Sequence, residues 1–539
     1  MSEGTEYSFL GLRGERLNWL VIFVAGFEFL LFGYDQGVMG GLLTLPSFTK
    51  VFPEICTTKA CFEGLSASAR STMSTTQGIA ISSYNLGCFC GALLAAFIGD
   101  RLGRRKTILL GCILVTIGAI LQFSGFELPQ FVVGRVICGF GTGLNTATVP
   151  IWQAECLQPH RRGPVMAFQT SLVIAGVMVS YWLDFGLSYA EPSQVAWRFP
   201  IAFQLVFSLF IIASIMFLPE SPRWLMLKDK QEEAAATISA LYDLPRNDPL
   251  VSEQLSAIYK TVHVDTNKNF MAMFSQGHLK KRTRTFIAVA VHVMSQLSGI
   301  NIITFYAASI YENEIGLSPF LSRILAACNG TQYFLASVFS VPLVKNFGRR
   351  PLLLFSSTGM CLSMVVLAIC TKIGGTQAGI GAAVFLFVFN TFFGLAYAQI
   401  SWLLAAEVVA LPVRAQANAL ATSSNWISNF VIVMTTPVAF TNIGWRTYLI
   451  FASFNFLGLP IVYFLFPETW GRSLEEIDLI FTGSKNIFDA IKRSQTMERH
   501  FDKKGNLIAG LAVDVEQMPS EGGELIKDID VQHVESTKM

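Results

Sequence analysis

The segment GDRLGRRK at residues 99–106 returns as KNFGRRPL at 345–352. Further along, AECLQPHRR (154–162) is echoed by AEVVALPVR (406–414), and PESPRWL (219–225) by PETWGRS (467–473). The offsets are 245, 252 and 248 residues, with the order kept and the same place held relative to the flanking apolar runs. A chain of 539 residues that repeats itself at nearly half its length is built from two halves of common design.

Around these echoes lie twelve apolar runs, at roughly 18–43, 77–98, 106–125, 128–150, 164–186, 198–218, 285–311, 321–345, 351–372, 378–405, 416–440 and 446–466. Most reach the roughly 20 residues that a helix needs to cross the hydrocarbon layer. Composition agrees: 52% of residues are hydrophobic and only 14% charged (39 basic, 37 acidic), so the surplus apolar surface must face lipid. Long uninterrupted runs exclude a transmembrane barrel, and a net charge of +2 without a basic stripe argues against nucleic-acid binding. The first run is too long for a signal-peptide core and has no cleavage site behind it.

The expectation is an all-α membrane protein with twelve transmembrane helices in two pseudo-symmetric six-helix bundles. Residues 18–218 and 285–466 form the bundles, and 219–284 is a cytoplasmic central loop with an amphipathic helix over 231–243. Lys and Arg collect in alternate loops (Arg101/Arg104/Arg105, Arg161/Arg162, the central loop, Lys345/Arg349/Arg350, Arg414), which places those loops and both termini in the cytoplasm. Residues 1–17 are then a cytoplasmic N-terminus, and 467–539 a cytoplasmic tail, read as largely disordered after about 500. The expected location is the plasma membrane. Of ten cysteines, eight lie in or beside apolar runs as small core residues, while Cys56 and Cys61 share the polar loop after span 1. Those two either pair, if that loop is extracellular, or stay free.

FGYDQG, GDRLGRR, GRVICGFGTGLN, AECLQPHRRG, PESPRWL, QLSGIN, NFGRR and PETWGRSLEEID stand in the order and spacing of the sugar porter family of the major facilitator superfamily. The chain resembles that family over about residues 15–480. GTGLNTATVPIWQAE, YWLDFGLSY and PETWGRSLEEIDLIF are most similar to its fungal branch, which includes glycerol/proton symporters. The resemblance implies the major facilitator fold and transport by alternating access.

Asp35 lies inside span 1, where a carboxylate costs about 3 kcal/mol unless paired, hydrated or protonated. Arg135 inside span 4 is the candidate partner, and a carboxylate alternating between it and a proton would couple proton entry to the conformational switch. The resemblance agrees, since proton-coupled members carry Asp at this position. A fixed ion pair is the other reading. Glu28, two turns before Asp35 on the same face, is either a second protonatable group or a snorkelling side chain.

On span 7, Gln296 and Asn301 are five residues apart, about 140° around a straight helix, so both face inward only if Gly299 breaks it. The resemblance implies that break, with Gln296 and Asn301 bonding substrate hydroxyls and Tyr306 gating from outside. An amide suits a hydroxyl because both donate and accept. An interhelical amide contact is the alternative. By resemblance Asn329, Trp402, Trp426 and Asn429 also contact substrate or floor the site, with helix packing as the plainer role for the tryptophans. The span-5 glutamine of hexose carriers falls at Thr170, with Gln169 one step early, and Ser295 replaces the first amide of a Gln-Gln pair. Those two departures weaken a direct assignment to glucose. Prolines common on span 10 are missing near Gln399 and Ser401, which argues against a bend there.

The charges Asp100, Arg104, Arg105, Glu155, Arg162, Glu220 and Arg223, mirrored by Arg349, Arg350, Glu407, Arg414 and Glu468, read as a cytoplasmic latch of ion pairs that opens and closes with the transport cycle. No catalytic constellation, metal-ligand spacing or phosphate loop is present, so the reading is a transporter with no cofactor or metal, driven otherwise than by ATP. Its expected partners are a neutral sugar, a proton and the bilayer, with a glycerol or polyol symporter, a uniporter and a sugar sensor as alternatives. A monomer is the expected working unit.

Overall fold

With no water in the bilayer core, each apolar run must satisfy its backbone internally, and each becomes a helix. The computed structural model describes residues 8–157, 159–264, 270–472 and 474–497. The first six spans are Gly14–Leu42, Ala67–Leu102, Arg104–Phe123, Leu128–Cys156, Pro159–Leu187 and Val195–Ile215. Span 7 is split into Lys281–Leu297 and Ile300–Ser309. Span 8 is Pro319–Phe347, span 9 Arg349–Ile373, span 10 Gly375–Leu395 with Tyr397–Val408, span 11 Arg414–Ile443 and span 12 Arg446–Leu465.

Among the described residues, eleven helices are long and apolar enough to cross a membrane by themselves. Span 4 falls short because it carries Arg135, Thr142, Asn145 and several glycines. It crosses because spans 2 and 3 enclose it. A Cβ at Gly139 would stand 2.0 Å from the Tyr84 carbonyl and one at Gly143 2.2 Å from that of Cys88, so only hydrogen at those positions lets span 2 approach.

The repeat is visible atom by atom at the turns after spans 2 and 8. Gly103 and Gly348 share φ 88° and ψ 170°, a conformation that disfavours a side chain. A Cβ at either would lie 2.8 Å from a carboxylate oxygen, of Glu220 or of Glu468. Each glutamate accepts the first N–H groups of the next span: Arg104 (3.1 Å) and Arg105 (3.2 Å) for Glu220, Arg349 (3.1 Å) and Arg350 (3.0 Å) for Glu468. A carboxylate at a helix N-terminus is favoured by the free donors and by the dipole. Trp224 donates to the Asp100 carbonyl at 3.0 Å and Trp470 to that of Lys345 at 2.6 Å, which explains why the side chain at 345 is free to differ.

Between the halves, Pro222–Leu227, Gln231–Tyr242 and Pro249–Val264 form a small helical cap. The expected helix at 231–243 is present, and it docks on the start of span 1: Asn18 donates to the Leu241 carbonyl at 2.9 Å, and Arg13 pairs with Asp243 at 3.1 Å. Leu474–Thr482 and Ile487–Thr496 follow span 12 and are tied to its half by Arg284, which pairs with Asp478 at 2.5 Å. The expected disorder of the far tail lies outside the described residues. Cys56 and Cys61 are bonded as a disulfide in the loop after span 1.

Candidate functional site

Spans 1, 4, 5, 7, 8, 10 and 11 enclose a cavity of about 120 Å³ between the halves, several times the ~10–15 Å³ that admits one water. Its polar wall is Ser295, Gln296 and Asn301 of span 7 with Asn425 and Asn429 of span 11. The opposite wall, from spans 1 and 5, is more apolar: Phe29, Phe32, Val173, Ile174 and Val177, broken by Gln36 and Thr170.

Gly299, at φ +98°, makes the polar wall possible. It separates the two pieces of span 7 and lets Asn301 turn back, so that Asn301 Nδ2 donates to Gln296 Oε1. Gln296 Nε2 in turn donates to Asn425 Oδ1 at 2.6 Å. Gly299→Ala is therefore expected to destabilise the break by about 1–2 kcal/mol, because a Cβ there is left-handed and would meet Met364 at 2.9 Å. Lower uptake per molecule of surface-expressed protein checks this. Span 10 is also interrupted, at Ala396 (φ −138°, ψ −68°), so the bend exists without the missing prolines, three residues before Gln399.

The residues expected at the site divide into two groups. Thr170, Gln296, Asn301, Trp402 and Asn429 line the cavity, with Trp402 edge-on to His292 at 4.7 Å between ring centres. Gln169 does not: it is 4% exposed and turned away, one residue and about 100° from Thr170. Trp426 is fully buried against Phe32 (5.3 Å) and Tyr84 (6.4 Å), outside the lining. It follows Asn425 by the same 100°, so one faces the cavity and the other the helix packing. Asn329 is an interhelical contact, donating to the Tyr311 hydroxyl at 3.2 Å and accepting from Asn390. Asn425 was not anticipated, although its spacing of four before Asn429 puts the two on one face.

Tyr306 sits apart from that lining. With Thr57, Arg70, Gln77, Glu314 and Phe440 it bounds a second cavity of about 230 Å³, on the side of the disulfide loop. Its hydroxyl donates to the Val433 carbonyl at 2.9 Å, which ties span 7 to span 11 between the two cavities.

Asp35 is wholly buried, and its Oδ2 accepts from Thr142 at 3.4 Å and from the Cys138 thiol at 3.6 Å. The expected ion pair with Arg135 is not formed in this conformation. Arg135 donates instead to the Ile81 carbonyl at 3.1 Å and lies over the Tyr84 ring at 4.7 Å, turned toward span 2.

The charged residues of the expected latch form clusters in each half. Arg104 pairs with Glu155 (3.2 Å) and Asp100 (3.1 Å), and Arg349 with Glu407 (2.7 Å), each within its own half. Ser221 and Thr469 donate to Glu155 (2.5 Å) and Glu407 (2.7 Å), completing the symmetry. In this conformation these pairs staple loops inside each bundle. Arg105 and Arg350 donate to the Met216 and Tyr463 carbonyls, both at 2.5 Å. Burial pushes the Glu220 carboxyl up from its ordinary value, against the pull of the Ser221, Arg105 and Arg104 N–H groups. Arg223 is exposed and Arg414 half-buried, whereas the Arg162 side chain lies outside the described residues.

Hydrogen bonds between described residues of opposite halves lie from mid-depth to the disulfide side. They join Ser74 to Thr441 (2.6 Å), Arg323 to the Thr44 carbonyl (2.7 Å), Tyr181 to the Thr304 carbonyl (2.8 Å), Trp182 to Thr331 (2.8 Å), Asn85 to Asn429 (3.1 Å) and Gln399 to Ser171 (3.4 Å).

The profile of the family described as "Sugar (and other) transporter" matches residues 21–481. Sugar transporter STL1 of Saccharomyces cerevisiae is 38% identical over 477 residues, covering 87% of this chain and 82% of that protein. High glucose sensor RGT2 of the same yeast is 31% identical, over 88% of this chain and 62% of that protein. Among solved structures, the inward open conformation of the xylose transporter XylE from E. coli superposes with a TM-score of 0.70 at 24% identity, covering 86% of this chain and 99% of that one.

Proposed function

The chain belongs to the sugar transporter family of the major facilitator superfamily, and from that premise we propose that it carries a small neutral monosaccharide into the cell together with a proton. The observation that supports this most is the cavity wall of linked amides, Gln296, Asn301 and Asn425, facing an apolar wall across the seam of the two halves. Amides match ring hydroxyls, and the Phe32 and Trp402 rings suit the apolar face of a sugar.

The positive residues of the central loop and a disulfide suited to an oxidising exterior support an orientation in the plasma membrane with both termini on the cytoplasmic side. On that reading the cross-half bonds close the outer side, and the conformation is the inward-facing one. Tyr306 holds the outer gate and Asp35 carries the coupling proton, meeting Arg135 only in another state of the cycle. Thr170 supplies a single hydroxyl where hexose carriers place an amide, which favours a shorter polyol such as glycerol as the second reading.

Uptake of a radiolabelled panel of pentoses, hexoses and polyols, in cells lacking their own carriers, tests this. A protonophore is expected to collapse accumulation of one neutral solute. Accumulation indifferent to the protonophore and to pH contradicts proton coupling, and no uptake of any solute favours a sensor.

A further inference from the structure

Glu28 has no part in the mechanism so far, yet it is 2% exposed and buried among spans 1, 3 and 4. A snorkelling role is excluded by that burial. Its Oε2 accepts from the Cys112 thiol at 3.5 Å, the Asn145 amide reaches the same carboxyl, and Asn145 Nδ2 donates to Cys112 at 3.3 Å. Oε1 has no partner among the described residues, and neither has Asn145 Oδ1. A proton on Oε1 would turn that unpartnered buried acceptor into a donor, which a buried carboxyl without a cation beside it favours.

Glu28 also stands seven residues before Asp35, about 20° off the same line and about 10.5 Å along span 1. Facing both is one stripe of span 4: Cys138 and Thr142 bond Asp35, and Asn145 attends Glu28. The spacings of four and three keep the stripe on one face. Asp35 also leaves one oxygen, Oδ1, unbonded. The two carboxyls thus share one polar seam inside the first bundle, apart from the solute cavity, whose lining includes neither.

We propose that Glu28 is a second proton-carrying site, which receives the coupling proton from Asp35 along the Cys138–Thr142–Asn145 seam and releases it toward the cytoplasmic side. The proton leaves the Asp35 carboxyl and ends on the Glu28 carboxyl; across the roughly 10.5 Å between them the Thr142 hydroxyl, and water entering the seam, each accept one proton and give up another, so the relay groups are left unchanged. Titratable groups facing Glu28 are Cys112 of span 3 and, along the seam, Cys138 and Arg135 of span 4 and Asp35 of its own span. This inference rests on the reading of the protein as a proton symporter.

The test compares wild type, Glu28→Gln and Asn145→Leu in proteoliposomes holding the solute selected by the uptake panel. Proton-driven accumulation and solute counterflow, which needs no net proton movement, are measured from pH 5 to 8. Glu28→Gln is expected to lower the ratio of accumulation to counterflow at least tenfold and to flatten its pH dependence. Asn145→Leu, which keeps the carboxyl but breaks the seam, is expected to shift the pH profile in the same assay. Wild-type ratio and profile in both variants overturn the proposal. Loss of accumulation and counterflow together marks a packing role for Glu28 and overturns it too. Wild-type transport that ignores the proton gradient overturns the symport reading instead.

Discussion

Asp35→Asn is expected to bring the accumulation ratio of the transported solute to about one. A potential of 100 mV supplies about 2.3 kcal/mol per charge moved, worth roughly a 50-fold gradient, and that whole gradient is what the variant forfeits. Asn is the same size and keeps the acceptor for Thr142 and Cys138, so the seam around position 35 stays packed. It cannot take up or lose a proton. The same substitution also removes a buried charge with an unbonded oxygen, so the protein is expected to remain folded and to bind solute. Solute-induced alkalinisation of a lightly buffered suspension checks the result. A wild-type alkalinisation trace in the variant removes Asp35 from the coupling mechanism.

Asn301→Ala carries the second large effect. Asn301 bonds Gln296, which bonds Asn425, so truncation both removes an amide from the wall and frees its neighbour to rotate. Losing one or two hydrogen bonds to a solute, at about 0.5–1.5 kcal/mol each, raises the half-saturation concentration by roughly tenfold. Surface abundance is expected to hold, because the residue faces the cavity and supports no span contact beyond that network. Initial-rate uptake with quantified surface protein separates the two effects. An unchanged half-saturation concentration means that the amide serves only the span-7 turn.

The fold was legible because its signals are long and redundant. Hydrocarbon demands helices that satisfy their own backbone, and the Gly-Arg-Arg turns report twice on the same structure, down to matched dihedrals at Gly103 and Gly348. The break in span 7 was legible through the resemblance, with Gly299 standing where a break must fall if Gln296 and Asn301 are both to face inward. Less was readable where one residue decides a direction. Gln169 against Thr170, and Trp426 against Asn425, differ by a single helical step, and only the packing of neighbouring helices says which one meets the cavity. Asn329 was expected at the site only by resemblance, and in this conformation its amide donates to the Tyr311 hydroxyl. The charged residues of the latch were legible as a repeated set, while which of them pair in this conformation, as Arg104 with Glu155 and Arg349 with Glu407, depends on packing that no spacing along the chain announces.

A map of the protein at side-chain resolution, prepared with a saturating concentration of the solute chosen by the uptake panel, tests the central claim most directly. The account predicts density for one solute molecule between the halves, within hydrogen-bonding distance of Gln296, Asn301 and Asn425 and against Phe32 or Trp402. Density confined to the outer cavity beside Arg70 and Glu314, with the amide wall still bonded to itself, would contradict it.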